Sequence, residues 1–221
     1  MIHISAKPGL QERSRDSFER VLAATESLLE ERLFEDVGMA EIARRADVAV
    51  GTVYQRFPSK ETLVPVLFQR HNAVIGGRVA RLGRDLDSEP TLRKRIELLV
   101  AFAVDYHVRH RGLLRALTTY VRANPSRVDP SLFGEREILY TDIARRLVGD
   151  GSEVVRDDAL ESALFALGVL NSVCREQILF EDVTPLSRRR GWRNALARRM
   201  IDLLERDIAG VVNERQKRRN R

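Results

Sequence analysis

Two short runs of helical spacing, about 39–46 and 50–56, lie so close together that only a tight turn can join them. Within MAEIARRADVAVGTVYQRF (39–57), Ile42, Ala43, Ala46, Val48 and Val53 supply the apolar or small positions that two short helices need to cross at a steep angle. Ala43 leaves room for the second helix to pass close by. Asp47 falls at the turn, where backbone often goes left-handed; glycine does this most easily, and Asp is among the few other residues tolerated there. The second helix then presents Val50, Thr52, Gln55 and Arg56 outward. These mix donors and acceptors of the kind that meet base edges and phosphates in a major groove.

The flanking sequence is helical too. Phe18, Val21, Leu22, Thr25, Leu28 and Leu29 recur at three- and four-residue spacing and predict a helix over 14–32. Pro58-Ser59 opens a longer helix, with Ser59 as cap and Glu61 at the positive end of the dipole. Beyond the polar break at 83–91 come helical patterns at 91–109 and 113–123, with Gly112 punctuating them. After the loop NPSRVDP, Asp129-Pro130 starts a helix to Val148. Segments 153–181 and 185–213 finish the chain, with Thr184-Pro185 opening the last. There is no internal repeat and no strand pattern. The expected architecture is all-α: a helix-turn-helix head over 1–60 and a larger helical body over 61–221.

Composition narrows the class further. With 43% apolar residues the chain can bury a real core, so disorder is not expected. The longest apolar stretches, Leu98–Val104 and Ala163–Leu170, are too short to span a bilayer, and the first residues lack an apolar export signal. A cytoplasmic protein is expected. The net charge of +6 is concentrated at the end of the chain: residues 187–221 hold 12 basic and 4 acidic side chains. Residues 1–60 hold 9 basic and 10 acidic, and 38–60 hold 4 and 2, so DNA affinity in the head rests on a narrow strip.

The run IARRADVAVGTVYQRFPSKETL (42–63) resembles the DNA-binding head of the tetracycline-repressor-like (TetR) transcriptional regulators, with GTVYQRFPSKETL its most specific part. The resemblance covers about residues 14–65. It implies that Gly51 allows close approach to the DNA backbone and that Thr52 and Gln55 contact phosphate or bases. It also implies that Tyr54 and Lys60 grip phosphate and that Phe57 is a buried core aromatic. Arg44, Val50 and Arg56 complete the expected DNA-binding set. Four positions depart from the family pattern. Leu33 stands where a helix-ending Gly is common, and a left-handed cap kept there would cost roughly 1–2 kcal/mol. Gly38 and Ala49 replace the usual hydroxyl caps of the two short helices, and Arg56 replaces a frequent His.

A helix-turn-helix reads a palindrome best as a dimer, with recognition helices about 34 Å apart. Two amphipathic stripes are the natural material for pairing: Leu160, Leu164, Leu167, Val169, Leu170 and Val173, then Leu196, Met200, Leu203, Leu204, Ile208 and Val211. The resemblance implies that the last two helices form the interface of a homodimer. It also implies that the body encloses a small-molecule pocket, for which Phe102, Tyr106, Tyr120, Phe133, Leu139, Phe165, Asn171 and Cys174 are candidate lining residues around an apolar or aromatic ligand. His107 and His110 near Asp105 lack a clear third ligand, so no metal is expected. Nothing marks Cys174 as a redox sensor, and the basic tail RQKRRNR (215–221) reads as a solvated end. No nucleophile–base pair, carboxylate cluster or phosphate loop points to an enzyme or a cofactor. The expected function is a DNA-binding regulator, a repressor released from a palindromic operator by ligand. The alternative is a helical interaction or ligand-binding protein without specific DNA binding.

Overall fold

The computed structural model describes the backbone of residues 8–125, 131–150, 152–154 and 157–209, and within these the side chains of all but 8–14, 131–136, 186 and 187. The described residues contain helices and no strand. In chain order these are α1 (Pro8–Glu31), α2 (Met39–Arg45), α3 (Val50–Arg56), α4 (Leu63–Ser88), α5 (Leu92–Arg109), α6 (Arg111–Ala123), α7 (Ser131–Val148), α8 (Ala159–Cys174) and α9 (Trp192–Ala209). The all-α class with a helix-turn-helix head and a helical body therefore holds. The expected caps Asp129-Pro130, together with Val211 and the tail 215–221, lie outside the described residues.

Two compact units divide the chain. One runs as far as Asn72 and takes in α6; the other holds Ala73–Arg111 and α7–α9. In the first unit Val21, Leu22, Leu28 and Leu29 of α1 meet Ile42, Ala43 and Val53 of the short helices, with Leu63 and Leu67 of α4. Leu113, Ala116 and Leu117 of α6 join the same core, a recruitment that helical spacing does not announce. Phe57 is buried and stacks on Phe18 with ring centroids 5.7 Å apart.

Local chemistry explains where the elements begin and end. Thr91 caps α5, its hydroxyl accepting from the Lys94 N–H at 3.3 Å. Ser59, in contrast, makes no side-chain cap, and a 3-10 turn at Lys60–Thr62 precedes α4. Leu33 is extended (φ −71, ψ 150), so the left-handed cap and its cost are both avoided. Pro185 opens a short 3-10 turn, and the last helix waits until Trp192, after Gly191 at φ +71. The expected 153–181 helix is shorter, starting at Ala159 and passing directly into a π-helical turn at Arg175–Leu179.

In the second unit Val79, Leu82 and Leu86 of α4 pack with Ile96, Leu99 and Val100 of α5 and Leu147 of α7, and with Ala163, Leu167, Leu170, Met200 and Leu204 of α8 and α9. Arg95, 8% exposed, clips this bundle at one end. Its guanidinium donates to the carbonyls of Leu147 (2.9 Å) and Glu89 (3.0 Å) and pairs with Glu153 at 3.2 Å. Bare helix-end carbonyls are thereby satisfied by a charge that is itself compensated.

Gly112 does not break the helical pattern; it lies inside α6, one residue past the irregular His110–Arg111 junction. A Cβ there would stand 1.9 Å from the Leu29 carbonyl oxygen and 2.8 Å from the Glu30 nitrogen. Glycine is needed because α6 presses its backbone on the end of α1. Replacing Gly112 with Ala is expected to lower stability by about 3 kcal/mol through overpacking against backbone, measurable by urea denaturation. A variant as stable as the parent would show that α6 can shift freely.

Candidate nucleic-acid interface

The helix-turn-helix is built around Asp47, the one non-glycine residue with positive φ (52°) among those described. α2 ends at Arg45 with Ala46 as its C-cap, the chain reverses through Asp47, and the Val48 N–H returns to the Ala43 carbonyl at 3.0 Å. Ile42, Ala43, Ala46 and Val53 are buried at the crossing, as their size and spacing require. Neither short helix has a side-chain cap: Gly38 precedes α2 and Ala49 precedes α3, both in extended conformation.

With Val53 and Phe57 turned inward, α3 exposes its other face. Val50 is 41% and Tyr54 50% exposed, Gly51 and Gln55 are exposed, and Thr52 is half-buried. A Cβ at Gly51 would meet nothing of the protein within 4 Å, so bare backbone is on offer at the start of the helix. Val50, Gly51, Thr52, Tyr54 and Gln55 thus share one short helix with a single buried residue.

The four cations of 38–60 behave differently from one another. Arg44 stays in solvent, its side chain 73% exposed and 3.6 Å from Glu41. Arg45 reaches back to α1, donating to Glu31 at 2.8 and 2.9 Å and to Ser27 at 2.8 Å. These bonds hold the Glu31 carboxyl below its ordinary range. Arg56 donates to the Ser17 hydroxyl at 3.1 Å and lies over the Phe18 ring. Lys60 turns its ammonium onto three carbonyls, those of Phe34 (2.8 Å), Glu35 (2.8 Å) and Val37 (3.3 Å), and over the Phe34 ring at 4.9 Å. Of the residues expected to meet phosphate, Arg56 and Lys60 are therefore occupied within the head.

Arg20 carries no signal in the sequence, where it is one polar residue among several on α1. Its guanidinium donates to the carbonyls of Ala46 (3.1 Å) and Asp47 (3.0 Å), with Asp16 and the Asp47 carboxylate also in range.

The candidate pocket residues are divided between the two units. Tyr120 packs with the first unit's core, whereas Phe102, Leu139 and Cys174 belong to the second. Phe165 is 67% exposed, and the Phe133 side chain lies outside the described residues. Phe102 and Tyr106 stack at 6.2 Å, and the Asn171 amide donates to the Tyr140 hydroxyl, a partner that helical spacing does not identify. Cys174 is fully buried, and burial pushes its thiol up to about 12, far from a reactive thiolate. His107 bonds the Ala103 carbonyl at 2.8 Å. His110 faces Arg78 at 3.2 Å, and burial, then that guanidinium, keeps His110 below its ordinary value. No group of three metal-ligating side chains occurs among the described residues. A separate cleft of about 500 Å³ lies near Arg95, lined by Asp87, Asp142, Arg145, Arg146, Asp150 and others.

Comparison with known proteins meets this geometry at the head. Residues 21–67, from the middle of α1 into α4, match the family described as bacterial regulatory proteins, tetR family. Residues 21–67 therefore carry the head that defines the tetR family. That match supports a DNA-binding transcriptional regulator. The chain is 34% identical over 110 residues to the HTH-type transcriptional repressor KstR of Mycolicibacterium smegmatis, covering 42% of this chain and 54% of that protein. It is 28% identical over 142 residues to the nucleoid occlusion factor SlmA of Aliivibrio fischeri, covering 62% and 70%. The fold is that of the transcriptional regulator FadR from Bacillus subtilis, solved in complex with stearoyl-CoA. That likeness has a TM-score of 0.60 at 18% identity, over 86% of this chain and 99% of the other. No helix among the described residues is long and apolar enough to cross a membrane.

The missing cap on α3 makes a direct prediction. Ala49→Ser should supply an oxygen to the first-turn N–H groups and raise stability by about 1 kcal/mol, read as a higher urea midpoint at unchanged slope. No gain would mean that the α3 terminus is already satisfied by other means.

Proposed function

We propose that this regulator is a homodimeric repressor that reads a palindromic operator with α3 and is released by a small ligand held in the helical body. The observation that carries the reading is the α3 face itself: Val50, Gly51, Thr52, Tyr54 and Gln55 displayed together on a helix that a left-handed turn projects from the head core. Val50 offers apolar contact to a thymine methyl, Gln55 a bidentate amide for adenine, and Thr52 and Tyr54 hydroxyls for phosphate or base edges. Arg44, the cation left in solvent, supplies phosphate attraction.

Pairing of two chains is supported by α8. Ala163, Ala166, Leu167, Leu170 and Cys174 bury one side, yet Leu160, Leu164 and Phe165 remain exposed on the other, and Leu203 of α9 is 52% exposed. An apolar helix with one face uncovered is suited to a second copy. The repressor role draws on KstR, and an apolar or acyl-bearing effector on FadR, which was solved with stearoyl-CoA. Phe102, Tyr106, Leu139 and Asn171 are the candidates for lining such a site in the second unit. Ligand would act by preferring a conformer that fits the operator poorly, so DNA and ligand affinities are reciprocally linked.

Selection of randomised duplexes by the purified protein at two salt concentrations tests the reading. A palindrome with half-sites about one helical turn apart is expected. Weak, salt-sensitive binding with no recovered motif would favour the alternative of a helical ligand-binding protein without specific DNA recognition. On the recovered duplex, Gln55→Ala should change preference at one base position by roughly 1–3 kcal/mol. Phe165→Glu should convert a dimer to a species of 25.2 kDa in sedimentation equilibrium. A variant that stays dimeric would move the interface elsewhere.

A further inference from the structure

The head has an unusual division of labour between its cations, and two of them touch the same structural unit from opposite ends. Lys60, in the turn before α4, directs one ammonium at three carbonyls of the α1–α2 connection, Phe34, Glu35 and Val37. Arg20, on α1, directs its guanidinium at the carbonyls of Ala46 and Asp47, where α2 ends and the chain turns toward α3. Between these two braces lies α2, whose own N-terminus has no side-chain cap, and beyond them lies α3, equally uncapped. At the end of α2 the Arg20 guanidinium complements the negative end of the helix dipole, whereas Lys60 acts as a hydrogen-bond donor to the connection. An ammonium has three N–H donors, and the three carbonyls around Lys60 account for all of them.

We propose that Lys60 and Arg20 are positioning residues for DNA recognition, holding the entry and the turn of the helix-turn-helix by charge-to-carbonyl hydrogen bonds, and that neither is a phosphate contact. The inference rests on the reading of α3 as the DNA-facing helix. It assigns to Lys60 a task different from the phosphate grip that family resemblance implies. With Arg45 tied to Glu31 and Arg56 to Ser17, it leaves the 38–60 strip with Arg44 as its outward cation. Angle and register of α3 then depend on Lys60 and Arg20, while the electrostatic pull on DNA does not.

Salt dependence separates the two roles, because removing one phosphate-binding cation makes the log–log salt slope shallower by about 0.9. The probes are the duplex recovered by selection and a random-sequence duplex of equal length, with the full-length protein well below its unfolding midpoint. For Lys60→Met and Arg20→Met, affinity for the selected duplex is expected to fall roughly tenfold with the salt slope unchanged, and affinity for the random duplex to be nearly kept. Lys60→Arg keeps the charge, but a planar guanidinium cannot aim one nitrogen at three carbonyls, so its selected-to-random ratio should fall too. If the Met variants do not fold, Lys60→Arg and Arg20→Lys read the same ratio. A shallower slope by about 0.9 per Met substitution, or a Lys60→Arg protein that binds like the parent, would overturn the proposal in favour of phosphate contact. A lowered unfolding midpoint with an unchanged selected-to-random ratio would also overturn it, leaving the braces without a part in recognition. Failure of the unsubstituted protein to bind either duplex would instead remove the reading of α3, and this inference with it.

Discussion

The backbone reversal at Asp47 is the constraint on which the head depends. Two seven-residue helices, α2 and α3, are far too short to be stable alone, since helix nucleation is costly and is recovered only over longer runs. They persist because the turn folds α3 back over α2 and buries Ile42, Ala43, Ala46 and Val53 in one shared core with α1 and α4. A left-handed residue makes so tight a reversal possible, and at 52° Asp47 occupies that region where glycine would be the easier choice. The Arg20 guanidinium on the Ala46 and Asp47 carbonyls offsets part of that cost.

From this turn follows the chemistry of the exposed face. Once Val53 and Phe57 are committed to the core, helical geometry leaves Val50, Gly51, Tyr54 and Gln55 outside. The face is nearly free of charge. Its cations sit behind it, bonded to Glu31, to Ser17 and to carbonyls of the α1–α2 connection. On the proposed reading of α3, discrimination comes from hydrogen bonds and apolar contact at base edges, and less of the affinity from counterion release.

The body shows a different balance. Its core is closed by aliphatic side chains from five helices, and Arg95 supplies the polar closure at one end by satisfying the last carbonyls near Leu147 and Glu89. α8 is apolar on nearly every side, which makes it at once a core helix and a surface in need of cover. Cys174 and His107 are absorbed into this packing, the thiol driven up to about 12 by burial and the imidazole bonded to the helix turn before it.

Much of this was legible in the residues. The short helices, the left-handed Asp47 and the outward α3 face follow from local rules: spacing, residue size and the few side chains that tolerate positive φ; the buried Phe57 was implied by the family resemblance. Those rules act over a turn or two of chain, which is the range a single sequence displays. Tertiary structure decided the rest. Gly112 is a point of contact with Leu29 and not a helix break; Tyr120 belongs to the head's core; Arg56 and Lys60 bind inward; Asn171 already has Tyr140. Each of these depends on which distant backbone or side chain a flexible group can reach. A lysine written in sequence is a positive charge on a four-carbon stem, and only the fold brings three backbone carbonyls within 3.3 Å of it.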